Sequence, residues 1–157
     1  MPDEATRRMM PLEYSRLLNS GDVEGVVNLF TEDVVFEDPV GRPPLLGREA
    51  LRNHLFWAVE GRVYEEPGRP VTSMDERYVV TPATVRLYAP EEMVFRIVAI
   101  TELDENGRGT HVRAFWGLTD MTMKPAPKTE DGVGSRPDAA PGTPGGADAA
   151  EAAARPA

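Results

Sequence analysis

The sequence contains no cysteine and only two histidines in 157 residues. Without cysteine the chain has no disulfide, no thiolate nucleophile and no cysteine-ligated metal, a composition that fits a reducing cytoplasm. The histidine count argues against a multi-histidine metal site, and we expect His54 and His111 to be surface or packing residues. We therefore expect a cytoplasmic protein with no metal centre.

Long apolar runs and clusters of positive charge are also absent. No stretch approaches the roughly 20 apolar residues that a membrane helix needs, and no apolar segment follows the charged N-terminus as it does in a signal peptide. The net charge is -9, and the arginines are dispersed among acidic residues, which opposes binding to phosphate backbones. We expect a soluble, unsecreted protein with neither a nucleic acid nor a membrane as partner.

The hydrophobic residues form one block. Residues 1–124 suffice for a single domain with its own core. Residues 125–157 are mostly proline, alanine and glycine with isolated charges, and they carry almost nothing apolar enough to bury. The sequence therefore predicts one folded domain over 1–124 and a disordered tail over 125–157, whose removal should leave fold and activity intact.

Apolar spacing predicts three helices in the first half, over about 3–19, from Asp22 onward, and over 47–60. The second half predicts strands over 63–73, 78–88, 93–103 and 110–119 in an antiparallel meander, with Asn106-Gly107 suited to a hairpin turn. Helices followed by strands indicate an α+β fold in which helices pack on one face of a curved antiparallel sheet. Such a cone encloses a pocket.

The candidate chemistry begins at Asp38, which ends a strand pattern. Val34, Phe36 and Asp38 share one face of that strand, whereas Glu37 faces solvent. A carboxylate on an apolar face is costly unless it has a partner or a task. On these residues alone, Asp38 is as consistent with a turn former before Pro39 as with a catalytic group.

Two further residues join Asp38 as candidates. Glu65 lies on the inward side of its predicted strand, but a register shift of one residue would place Glu66 there instead. Tyr14 lies on the apolar face of the first helix, a position that fits either a core tyrosine or a functional hydroxyl.

The chain resembles the nuclear-transport-factor-2-like (SnoaL-like) cone fold, in its ketosteroid-isomerase branch. The segments that carry the resemblance are Tyr14, Ser20-Gly21-Asp22, Glu37-Asp38-Pro39, Gly41-Arg42-Pro43-Pro44, Gly47-Arg48-Glu49, Asp104-Glu105-Asn106-Gly107 and Phe115-Trp116. The resemblance implies that three N-terminal helices are wrapped by a curved antiparallel sheet. It also implies that Tyr14 is an oxyanion-hole donor and Asp38 a general base.

One position departs from that branch. An isomerase of this kind needs a protonated aspartate beside the tyrosine, and the matching residue here is Ala99, which cannot donate a hydrogen bond. A second resemblance, to the epoxide hydrolase/cyclases of polyether ionophore biosynthesis, accounts for this departure. Its segments are Tyr64-Glu65-Glu66-Pro67-Gly68-Arg69-Pro70, Pro82-Ala83-Thr84-Val85 and Trp116-Gly117-Leu118-Thr119-Asp120.

This second resemblance implies cofactor-independent epoxide opening of a polyepoxide polyketide to cyclic ethers. Asp38 would be the ionised base, Glu65 the neutral acid and Tyr14 a hydrogen-bond donor, although the two carboxyl roles are open to reversal. Desolvation and mutual repulsion disfavour a doubly ionised site. The expected substrate-binding residues are Trp57, Ile97, Ala99 and Trp116.

Two other functions stay open on the sequence. One is an isomerase or polyketide cyclase that uses Asp38 as its base, and the other is a non-catalytic regulatory partner of a sister epoxide hydrolase. The uncovered face of the sheet predicts a homodimer, and a complex with a sister epoxide hydrolase is the other assembly that the resemblance suggests.

Overall fold

A computed structural model describes residues 1–124 of the chain, and the predicted tail over 125–157 lies outside the described residues. The helices are α1 (Glu4–Ser20), α2 (Val23–Val27) and α3 (Gly47–Glu60). The strands are β1 (Phe30–Glu37), β2 (Leu45–Leu46), β3 (Tyr64–Pro67), β4 (Val71–Thr72), β5 (Tyr78–Leu87), β6 (Met93–Leu103), β7 (Gly109–Phe115) and β8 (Met121–Met123). A 3-10 turn over Leu118–Asp120 precedes β8.

The three helices begin and end at residues whose chemistry favours those ends. The carboxylate of Asp3 accepts a hydrogen bond from the Thr6 N–H at 2.7 Å, which caps the start of α1. Gly21 ends α1 with a φ of 78°, a conformation that glycine adopts without a Cβ penalty. The Asp22 carboxylate then caps α2 by accepting from the Gly25 N–H at 2.9 Å. The three predicted helices are thus present at their expected positions.

The sheet has the order β2-β1-β7-β6-β5-β3, with β4 paired to β5 and β8 paired to β6. The expected fold class is confirmed, but the sheet is mixed rather than wholly antiparallel, because β1 runs parallel to β7. The alternation of apolar and polar residues has the same period in both arrangements, so it does not reveal this direction.

The strand predicted over 63–73 is also interrupted. It forms β3 and β4, separated by Gly68-Arg69-Pro70. Pro70 has no N–H to donate to a ladder, and the N–H of Gly68 donates to the Pro82 carbonyl at 2.7 Å across the gap.

The helices cover one face of the sheet, with α1 against β3 and α3 against β1. The core lies between the two layers and contains Met10, Leu18, Val26, Val27, Phe30, Val34, Phe36, Leu51, Leu55, Val79 and Val112. The opposite sheet face has no helix on it within residues 1–124, and Val98 and Phe115 are exposed there. None of the helices in this range combines the length and apolar character that a bilayer crossing demands.

Packing of α3 gives a direct test of this architecture. Leu51 is 0% exposed and Phe56 on the same helix is 50% exposed. We expect Leu51→Ala to lower the free energy of unfolding by about 2–5 kcal/mol, because it leaves a cavity in the core. Phe56→Ala should cost less than about 1 kcal/mol. Urea unfolding measures both, and equal losses would contradict the orientation of α3.

Candidate active site

Asp38 follows β1 directly, and a polar side chain lies close to each of its carboxylate oxygens. The indole N–H of Trp116 donates to Oδ1 at 2.7 Å, and Nε2 of His54 lies 3.6 Å from Oδ2. Glu37 points to the other face of the sheet, where its carboxylate lies 2.7 Å from Nε2 of His111. The Asp38 carboxylate therefore accepts a hydrogen bond from Trp116 and has an imidazole close to its other oxygen.

His54 is buried in the site, where it packs against two aromatic rings. Its ring stacks on Trp57 with centroids 6.3 Å apart, and it lies 6.2 Å from the ring of Phe36. Its Nδ1 is enclosed and has no hydrogen-bond partner in the described part of the chain. A proton on Nε2 is therefore the arrangement that turns an N–H toward Asp38. The expectation of a packing role holds, but the packing brings the imidazole to the carboxylate.

Glu65 lies on β3, the last strand of the main sheet order. One edge of β3 pairs with β5, so that Glu65 lies opposite Val85. On the other edge the side-chain amide of Asn19 binds both backbone groups of Glu65, donating to its carbonyl at 2.8 Å and accepting from its N–H at 2.7 Å. These two hydrogen bonds fix the strand register with Glu65 directed inward and Glu66 exposed.

Within residues 1–124 the Glu65 carboxyl has a single hydrogen-bond donor. The hydroxyl of Ser15 lies 2.7 Å from Oε1, and it also lies 3.2 Å from the Pro11 carbonyl. Burial raises the pKa of Glu65 from its usual value near 4.5 to about 7; the Ser15 hydrogen bond opposes this shift and the charge of Asp38 adds to it. Glu65 is therefore a carboxyl that retains its proton close to neutral pH.

Tyr14 lines the same cavity as the two acids. Burial raises the pKa of its hydroxyl well above the usual range, and the charges of Glu65 and Asp38 raise it further. Its ring packs edge-on against Phe30 at 6.0 Å. The hydroxyl consequently remains protonated and can act as a hydrogen-bond donor.

These residues surround a cavity with two chambers, each of about 70 Å³, several times the space that one water needs. The first, which we call the threonine chamber, is lined by Met10, Pro11, Tyr14, Phe30, Phe36, Asp38, Glu65, Thr81, Ala83, Ile97, Ala99, Thr101, Val112 and Ala114. The second, the tryptophan chamber, is lined by Tyr14, Leu18, Asp38, His54, Leu55, Trp57, Ala58, Val63, Glu65, Val85, Leu87, Phe95, Ile97 and Trp116.

Four residues line both chambers and therefore mark the place where they meet: Tyr14, Asp38, Glu65 and Ile97. The other expected binding residues divide between the chambers, with Ala99 in the first and Trp57 and Trp116 in the second. The structure thus brings all seven sequence-predicted site residues to one cavity. Within residues 1–124, no three His, Cys, Asp or Glu side chains are grouped so that they could hold a metal ion.

Sequence reasoning missed Ser15, Asn19 and the approach of His54 to Asp38. Ser15 and Asn19 are four residues apart and so share a face of α1, which the structure turns toward Glu65. His54 had a readable signal, because it lies between Leu51 and Leu55 on the buried side of α3. A polar side chain in that position needs a partner.

Comparison with known proteins identifies the family. The SnoaL-like domain matches residues 12–112. The chain belongs to the SnoaL-like family. It is 42% identical over 137 residues to Epoxide hydrolase LasB of Streptomyces lasalocidi, an alignment that includes 83% of this chain and 49% of LasB. The chain therefore spans about half the length of this curated relative.

This SnoaL-like chain is also similar to a solved structure. The epoxide hydrolase/cyclase-like enzyme SalBIII, described for its role in pyran ring formation in the polyether salinomycin, superposes with a TM-score of 0.75 and 32% identity. The match covers 79% of this chain and 100% of SalBIII. The chain therefore shares the fold of an epoxide hydrolase/cyclase-like enzyme over most of its length.

A more distant similarity points to the isomerase branch. The Steroid Delta-isomerase of Nocardioides simplex is 24% identical over 113 residues, which are 72% of this chain and 91% of the isomerase. The identity to LasB and SalBIII is higher than the identity to the isomerase. This difference agrees with Ala99, because the isomerase hypothesis requires an acid at this position.

The raised pKa of Glu65 makes the stability of this SnoaL-like domain depend on pH. Between pH 4.5 and about 7 the folded state retains a proton that the unfolded chain releases, so the contribution of Glu65 to the free energy of unfolding falls as the pH rises through this window. Because an amide does not titrate, Glu65→Gln should gain stability relative to the native chain between about pH 5 and about pH 8, by up to about 3 kcal/mol.

Urea unfolding of both chains at the two pH values measures this difference. Glu66→Gln is the matched control, since Glu66 is exposed and its substitution should shift stability equally at both pH values. A pH-independent difference for Glu65→Gln would contradict the raised pKa.

Proposed function

We propose that this chain catalyses the opening of an epoxide by a hydroxyl of the same substrate, which closes a cyclic ether. The observation that carries the proposal is the pair of carboxyl groups in unlike surroundings where the two chambers meet. Asp38 has an indole N–H and an imidazole at its oxygens. Glu65 is desolvated, and its pKa is about 7. The similarity to LasB and SalBIII supports the same reaction class.

The reaction needs one base and one acid. Asp38 takes the proton of the substrate hydroxyl while that oxygen attacks an epoxide carbon, and Glu65 gives its proton to the epoxide oxygen as the old C–O bond breaks. The product is an isomer of the substrate with one new ring and one new hydroxyl. Each acid or base role typically contributes about 10²- to 10⁴-fold to the rate.

Holding the substrate adds to this chemistry. The walls on both sides of Asp38 and Glu65 keep the substrate in a folded conformation, so that its hydroxyl and epoxide meet in one orientation. Such positioning lowers the entropic part of the barrier. Tyr14, which lines both chambers, would donate its hydrogen bond to a substrate oxygen between the two acids. The substrate class is a largely apolar polyepoxide polyketide.

The isomerase hypothesis has less support from the residues that line the cavity. It would use Asp38 to abstract a proton next to a carbonyl, and it requires a second donor beside Tyr14 for the oxyanion. Ala99 lines the threonine chamber and supplies none, and loss of one such donor typically costs about 10²- to 10³-fold in rate. The isomerase hypothesis also assigns no chemical role to Glu65.

The test is incubation of purified protein with a bis-epoxide that carries a γ- or δ-hydroxyl, followed by chromatography of the products. We expect the native chain to form cyclic ether, and Asp38→Asn and Glu65→Gln each to lose about 10²-fold or more. Glu37→Gln and Glu66→Gln are matched controls, because each replaces the neighbouring carboxyl that points away from the cavity.

Two results would overturn the proposal. Full activity in Glu65→Gln would contradict the two-carboxyl mechanism, and turnover of an enolisable steroid by that variant would favour the isomerase. Absence of cyclisation by the folded native chain would favour a non-catalytic partner of a sister epoxide hydrolase.

We also propose that two copies of the chain pair through the sheet face that carries no helix. Val98 and Phe115 are register partners on this face, and they are 46% and 44% exposed. Apolar surface of this kind on neighbouring strands favours contact with a second sheet.

Light scattering tests the assembly. We expect twice the chain mass of 17.2 kDa for the native protein and a shift toward the monomer in Val98→Asp, because a charge at this position would be desolvated in the interface. Phe56→Asp is the control, since Phe56 is exposed on the helical layer. A monomeric native chain would exclude the homodimer.

A further inference from the structure

Two threonine hydroxyls in the threonine chamber have no hydrogen-bond partner among residues 1–124. Thr81 is 5% exposed and Thr101 is 7% exposed. Elsewhere on the sheet a threonine such as Thr110 donates to a backbone carbonyl, that of Glu102. The enclosed side-chain atoms without partners in the described chain include the hydroxyl of Thr31 but not those of Thr81 or Thr101. These two hydroxyls therefore open onto the space of the chamber that both residues line.

The two threonines lie on adjacent strands and on the same face of the sheet. Thr81 pairs with Ala99 and Thr101 pairs with Val79, so the threonines are diagonal neighbours, about 7–8 Å apart. Beyond the residues that it shares with the tryptophan chamber, the threonine chamber is lined by no charged side chain. The wall therefore offers two neutral donors to a ligand without a charge.

The tryptophan chamber offers a different surface. Apart from His54 and the acids and tyrosine that it shares, its wall consists of aliphatic side chains and the rings of Trp57, Phe95 and Trp116. Phe95 packs edge-on against Trp116 with ring centroids 4.9 Å apart. A hydrocarbon segment gains from burial there, whereas an ether or epoxide oxygen placed away from Tyr14, His54 and Glu65 would lose its hydrogen bonds to water without replacement.

We propose that the two chambers set the direction in which the substrate binds. The oxygen-bearing segment lies in the threonine chamber, where the hydroxyls of Thr81 and Thr101 donate to neutral ether or epoxide oxygens, and the hydrocarbon segment lies in the tryptophan chamber. The inference rests on the proposed function for its substrate class. It makes Thr81 and Thr101 specificity residues, because the direction of binding decides which epoxide reaches Asp38 and Glu65.

The test uses a pair of unreactive ligands, so that it does not depend on turnover. One is an alkyl chain that ends in a tetrahydrofuran ring, and the other is the same chain ending in cyclopentane. Trp57 and Trp116 are the only tryptophans of the chain and both line the tryptophan chamber, so fluorescence titration reports binding. We expect the native chain to bind the ether about tenfold more tightly, as one or two neutral hydrogen bonds would give.

Variants that keep the shape of the side chain identify the donors. Thr81→Val together with Thr101→Val should abolish the preference for the ether and leave the affinity for the cyclopentane ligand unchanged. Thr101→Ser keeps a hydroxyl and should keep the preference. Thr31→Val is the matched control, because its hydroxyl is enclosed and unpartnered and lines neither chamber.

Equal affinity of the native chain for the two ligands, no saturable binding of either, or a preference that survives in the double variant would overturn the inference. The cyclisation assay separates this failure from a failure of the proposed function. An ether preference in a chain that does not cyclise the bis-epoxide would support the oxygen site and contradict the enzyme. Cyclisation without an ether preference would contradict the oxygen site alone.

Discussion

Two carboxyl groups share one largely apolar cavity, and the arrangement of the site follows from this constraint. Each ionised carboxylate that is taken from water needs donors in return. Within residues 1–124 the donors are unequal, since Asp38 accepts from Trp116 and has His54 3.6 Å from its other oxygen, whereas Glu65 accepts only from the hydroxyl of Ser15. The proposed division of roles, with Asp38 as base and Glu65 as acid, rests on this inequality, although both groups belong to the same chemical class.

Helix α1 carries much of the site although it contributes neither acid. Tyr14 supplies a protonated hydroxyl, Ser15 binds the Glu65 carboxyl, and Asn19 binds the backbone of Glu65 on the free edge of β3. The side-chain amide of Asn19 takes the place that a further strand would occupy. The position of Glu65 is thus determined by a contact between residues 46 apart in sequence, and the register of a short edge strand becomes as well defined as that of a central one.

The sequence predicted the elements better than their pairing. Asp38 could be placed on the apolar face because Val34 and Phe36 establish the period of its strand, and the start of the second helix was readable at Asp22. Glu65 could not be placed in this way, because Glu66 is chemically equivalent and the residue that decides between them lies on another element. The parallel pairing of β1 with β7, and the approach of His54 to Asp38, likewise arise from contacts across the fold that no local pattern records.

Ser15 has one hydroxyl proton and two neighbours that can accept it, the carbonyl of Pro11 and the carboxyl of Glu65. When Glu65 is ionised, the hydroxyl donates to it. When Glu65 is protonated, the hydroxyl can turn to Pro11 and its oxygen can accept from the carboxyl. In the proposed reaction, the change of charge on Glu65 would therefore be matched by rotation about a single bond. Side-chain torsions of this kind move far faster than domains or lids, so the proposed loss and gain of a proton at Glu65 would require no movement of the backbone.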